Sequence, residues 1–116
     1  AIRRQRQMCI RDRFTKKIIT SLPDVIITSN DLIAQGIISA AHENGINIPN
    51  DMQITGFDDL ISSAYFIPSV TTVSQNIDEL AKRCFSMLMD LINKKSAVSS
   101  IIEQNIISRS SAKINI

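Results

Sequence analysis

A chain of 116 residues with 44% hydrophobic and 21% charged side chains has room for one small domain. A single histidine leaves no set for a His-based metal cluster or catalytic dyad, and no apolar run approaches the roughly 18 residues of a membrane span. The formal net charge of +2 invites a nucleic-acid reading, but its distribution argues otherwise.

Five of the thirteen basic residues lie in the opening run AIRRQRQMCIRDR. Gln7 to Arg13 read as a translated transposon adapter of the kind used in sequencing libraries, so residues 1–13 are expected to be a non-native, adapter-derived segment outside the fold. Without that segment the balance is eight basic against ten acidic residues. The apparent basicity then says nothing about DNA.

The first element is the apolar run Val25, Ile26 and Ile27 after Pro23, as expected of a parallel strand covered on both faces. It ends at Ser29, Asn30 and Asp31, which start a helix. Leu32, Ile33, Gly36, Ile37, Ala40 and Ala41 recur at helical spacing, Asp31 sits in the first turn where the helix dipole favours it, and Gly45 after Asn44 is a stop. His42 falls on the polar side, a solvated helix position.

Pro49, Asn50 and Asp51 form a turn cluster, and Met52 to Phe57 alternates as a short strand does. Asp58 and Asp59 follow at its carboxyl end, where open α/β sheets bind ligands. Two readings of the pair stand: a solvated turn capping Leu60 to Ala64, or a site whose carboxylates accept from neighbouring hydroxyls of a polyol or ribose. A right-handed β-α-β crossover puts the Asn30 turn and the Asp58 turn on one sheet edge. Further on, Asn76 and Glu79 suggest a capping box for a helix with Ile77, Leu80, Ala81, Cys84, Leu88 and Leu91 on its apolar face. Cys84 there reads as a small buried hydrophobe, with Met87 and Met89 as core packing. Asn93 to Ser100 reads as a loop and Ile101 to Ile107 as a strand.

SNDLIAQGIISAAHENGINIPNDMQITGFDD, IPSVTTVSQNIDEL and IISRSSA, in this order and spacing, resemble the carboxyl-terminal part of the LacI/GalR family of bacterial transcriptional repressors. The resemblance runs from about Phe14 to Ile116. It implies an α/β, periplasmic-binding-protein-like parallel sheet with flanking helices, present only as a C-terminal fragment of two subdomains around a cleft. Residues 14–74 and about 105–116 would belong to the C-terminal subdomain, and 75–104 to the N-terminal one.

Carried over by matching position, the resemblance implies that Asn30, Asp58 and Gln75 contact a small-molecule effector, a sugar, nucleoside or related compound, with Gln75 facing the cleft from the opposite subdomain. It implies a homodimer in the full-length protein, with Gln35, Tyr65 and Phe66 at matching interface positions. Gln35 is polar where an apolar residue is expected, and Phe66 reads equally as core packing. Operator DNA would be met only through an N-terminal headpiece that this chain does not contain.

The expected function is effector sensing and dimerisation within a cytoplasmic repressor, with no enzyme activity, no metal and no cofactor. Carboxylates are present, but no partner base or nucleophile stands at recognisable spacing, and Gly36, Gly45 and Gly56 are too isolated for a phosphate loop. The alternative is a fragment of an exported sugar-binding protein serving an ABC-type transporter, against which GFDD followed by P-x-x-TTV-x-Q argues. A sheet lacking its neighbouring strands is further expected to make the isolated chain poorly soluble or self-associating.

Overall fold

The computed structural model describes residues 20–113, so the adapter-derived reading of 1–13, and Cys9 with it, lies outside the described residues. Strand β1 (Val25–Ile27) leads into helix α1 (Asp31–Glu43), and strand β2 (Gln53–Thr55) leads into the short helix α2 (Ile61–Tyr65). Strand β3 (Thr72–Ser74), helix α3 (Ile77–Ile92) and strand β4 (Asn105–Ile107) complete the order.

β1 and β2 pair in parallel with Ile26 opposite Ile54. An isolated parallel bridge from Thr55 to Thr71 extends that sheet toward the segment entering β3. β3 pairs antiparallel with β4, Val73 opposite Ile106. The β1-α1-β2 unit thus places both strand ends on one edge, and the bond from Asp31 N to Phe57 O, 2.9 Å, joins the two turns directly.

α1 forms because its ends are marked: Asn30 Oδ1 accepts from Ile33 N at 2.9 Å, and Gly45 takes a left-handed φ of 72° that glycine adopts without Cβ strain. Its buried face is Ala34, Ile37, Ile38 and Ala41, packed with Ile48, Met52, Ile54 and Val70. Each buried isoleucine here contributes on the order of 1.5–3 kcal/mol relative to exposure. The expected face is therefore rotated: Leu32 is exposed, while Ala34 and Ile38 join the core. Spacings of three and four residues admit two adjacent stripes, and contact with β2 selects one.

Four other expectations are corrected. β1 is not covered on both faces: Val25 and Ile27 are exposed and only Ile26 is half-buried, because the described sheet lays no further strand or helix on that side. α3 buries none of its residues, so Cys84 is exposed rather than packed, along with Phe85, Leu88 and Ile92. Its start is no capping box, since Asn76 sits in the left-handed region with no side-chain cap and Glu79 pairs with Arg83 at 2.9 Å. The expected strand over 101–107 shortens to Asn105–Ile107, the length that β3 can pair.

The segment after β4 returns to the core. Ser111 is fully buried; its Oγ donates to Ile54 O at 2.6 Å and accepts from Thr71 N at 2.8 Å. Ile54 N in turn donates to Ser111 O at 2.9 Å. This tail supplies β2 and the approach to β3 with partners that no strand provides, so their buried backbone groups are satisfied.

Candidate functional site

The site is the cluster of strand ends around Asp58 and Asp59. Both residues have positive φ, 107° and 52°, a backbone state that costs a non-glycine residue on the order of 1–3 kcal/mol unless its surroundings impose it. The surroundings are specific: Asp58 N donates to Val73 O at 3.0 Å and Asp59 N donates to Thr72 Oγ1 at 3.3 Å. The turn is thereby fastened to β3.

The two carboxylates face different partners. Asp58 Oδ1 accepts from Gln75 Nε2 at 2.5 Å, and its Oδ2 takes no bond from the described residues. Asp59 Oδ1 accepts from Arg109 Nη2 at 2.6 Å, while Arg109 Nη1 donates to Val70 O at 2.9 Å. Both side chains of that ion pair are largely buried. The solvated-turn reading does not describe this geometry, because each aspartate is half-buried with a donor of its own and neither caps α2.

Asn30 stands at the neighbouring strand end. Its carbonyl is committed to the α1 cap, and its Nδ2 donates to none of the described residues. Asp58 and Gln75 are hydrogen-bonded to each other, whereas Asn30 shares the edge with no hydrogen bond to either among the described residues. Gln75 lies one residue beyond β3, and the Asp58 N to Val73 O bond holds the turn against that strand's end.

The residues that sequence reading missed lie beneath the turn. Asp31 is fully buried and accepts three bonds: Thr72 Oγ1 at 2.6 Å on Oδ1, and Ser63 Oγ at 2.6 Å with Leu60 N at 2.8 Å on Oδ2. A Cβ at position 56 would overlap Asp31 Oδ1, so Gly56 is the residue that admits this carboxylate. An aspartate in a first helical turn has an ordinary explanation, which hid the role of Asp31. Arg109 was visible only as part of a motif.

The residues expected at an interface divide. Gln35 Nε2 donates to Ser62 Oγ at 2.9 Å and Ser63 Oγ at 3.2 Å, tying α1 to α2 within the chain. Tyr65 is 82% exposed, while Phe66 is half-buried against the core. Tyr65, Phe66 and Ile67 line an open groove of about 530 Å³ with Ile38, Ser39 and His42. Among the described residues no group of histidine, cysteine and acidic side chains could hold a metal ion, and no helix is long and apolar enough to cross a membrane.

The family model for a periplasmic binding protein-like domain matches residues 1–112. The chain is 35% identical over 85 residues to the HTH-type transcriptional repressor PurR of Pasteurella multocida, covering 73% of this chain and 25% of that protein. Among solved structures it is similar to a LacI-type transcription regulator from Bifidobacterium animalis, with a TM-score of 0.78 and 30% identity over 90% of this chain and 39% of the other. The periplasmic binding ribose operon repressor protein from Lactobacillus acidophilus gives a TM-score of 0.78 and 32% identity over 85% of this chain and 39% of the other. The chain thus spans about a quarter of the length of the curated relative it matches.

Proposed function

Because the chain belongs to the periplasmic binding protein-like domain family, we propose that it is the effector-sensing and dimerisation portion of a LacI/GalR-type transcriptional regulator of the cytoplasm. The effector would be a sugar, nucleoside or related small molecule rich in hydroxyls. Operator DNA would be met through an N-terminal headpiece, as the HTH-type designation of the relative suggests. The regulators among its relatives favour this reading over an exported binding protein or an enzyme.

The observation that carries the proposal is the contact of Gln75 with Asp58 at the mouth of the strand ends. Gln75 follows β3 at the start of the segment leading into α3, and Asp58 follows β2, so one ligand touching both would bridge two structural units. Asp58 would accept from ligand hydroxyls, and the amides of Asn30 and Gln75 would donate and accept. In this reading residues 14–74 and about 105–116 form one subdomain, and 75–104 contributes to the other as the C-terminal part of the effector domain. α3 supports that division, because none of its residues is fully buried in the described chain.

The mechanism follows from differential affinity. A ligand contacting both units favours their closed arrangement by the difference in its binding to the open and closed states, typically about 1–3 kcal/mol of coupling to a second site. Tyr65 and Phe66, which line the groove with Ile38 and His42 of α1, would lie at the homodimer contact; Gln35 would support it through α2. Calorimetric titration of the full-length protein with D-ribose, D-galactose and adenosine tests the effector class. Saturable heat with one of them supports the reading, and no heat with any of the three removes the hydroxyl-rich class.

A further inference from the structure

We propose that Asp31 is the positioning residue of the Asp58–Asp59 turn. That this turn meets a ligand rests on the functional reading above; how the turn is held rests on geometry alone. Two consecutive non-glycine residues with positive φ, 107° and 52°, need an external frame, since the local chain favours other conformations. Asp31 provides that frame on both sides. Its N–H donates to Phe57 O at 2.9 Å, immediately before the turn, and its Oδ2 accepts from Leu60 N at 2.8 Å, immediately after it.

The middle of the turn is reached through Thr72. A threonine hydroxyl has one hydrogen to give, and here it donates to Asp31 Oδ1 at 2.6 Å, leaving a lone pair that accepts from Asp59 N at 3.3 Å. Asp31 thus sets the hydroxyl's direction, and the hydroxyl sets Asp59. Ser63 Oγ, donating to Oδ2 at 2.6 Å, fixes the carboxylate's own rotation from α2. Full burial removes water as a substitute for any of these donors. Asn at position 31 keeps the shape but turns one oxygen into an NH2 group facing donors.

The test is residue-resolved amide hydrogen exchange on the full-length protein and on Asp31→Asn, Thr72→Val and Thr72→Ser. Asp31→Asn is expected to speed exchange at Asp59 and Leu60 by about tenfold, and Thr72→Val to do so at Asp59, while Ile37 and Ile38 in α1 keep parental protection. Thr72→Ser retains the hydroxyl and is expected to behave as the parent. Equal acceleration at every amide would show a merely structural role and overturn the proposal, as would parental exchange at Asp59 in Thr72→Val. Should Asp31→Asn fail to fold, the Thr72 pair still decides. D-ribose and adenosine titrated into the parent separate the two ideas: no binding with the selective exchange pattern intact would count against the ligand reading and leave the positioning role standing.

Discussion

Arg109 reaches back fifty positions along the chain to donate from Nη2 to Asp59 Oδ1 at 2.6 Å. Its other terminal nitrogen holds Val70 O at 2.9 Å, so one guanidinium joins the aspartate turn, the segment entering β3 and the returning tail. The two aspartates are thereby divided: Asp59 is committed to arginine and Asp58 to Gln75, and in the proposed function it is Asp58 that would meet a ligand.

A double-mutant cycle on Asp59→Asn and Arg109→Met in the full-length protein should therefore show a coupling of about 1 kcal/mol, above that of an exposed pair because both side chains are largely buried. Urea midpoints of the four proteins measure it, and additive effects would mean that the ion pair is structurally idle.

If the proposed repressor function holds, Asp58→Ala in the full-length protein should weaken effector binding by about 1.5–3 kcal/mol, roughly ten- to a hundredfold, while leaving operator affinity near the parental value. Calorimetric titration showing unchanged effector affinity would remove Asp58 from the site.

Gly56→Ala places a methyl against Asp31 Oδ1, and neither the strand nor the triply bonded carboxylate has room to yield. A loss of about 1–3 kcal/mol is expected from this overpacking. Gly36→Ala, which meets nothing within 4 Å and lies inside α1, is expected to be neutral or mildly stabilising, so thermal melts of the two variants provide an internal comparison.

Asn30→Ala removes the bond to Ile33 N and should cost about 1 kcal/mol of stability through the α1 cap. If Asn30 also contacts effector through its Nδ2, affinity falls as well; a stability loss with full affinity would confine it to capping.

The isolated 116-residue chain should self-associate, because Phe85, Leu88 and Ile92 leave an apolar stripe exposed on α3, and Val25 and Ile27 of β1 are exposed as well. Sedimentation velocity on the chain and on Phe85→Lys/Leu88→Lys checks this. A soluble monomer with a sharp cooperative melt in the unsubstituted chain would contradict it.

Local chemistry by itself determined the strand at Val25, the helix capped by Asn30 and stopped at Gly45, and the carboxylate turn after β2, because each is marked by residues adjacent in sequence. The motif order likewise pointed to the periplasmic binding protein-like fold, and the family match agrees. What the sequence could not decide depends on partners far along the chain. Which stripe of α1 is buried follows from β2 and Val70 packing against it, and whether α3 has a buried face depends on what lies beside it. Asp31 looked like an ordinary dipole-stabilising acid until Leu60, Ser63 and Thr72, 29 to 41 positions away, converged on it. A capping box at Asn76 was plausible from spacing alone, but the left-handed backbone at that residue, with Glu79 drawn to Arg83, excluded it. Hydrogen-bond geometry at a buried carboxylate is a property of the assembled chain, since only folding brings together the donors that make its burial tolerable.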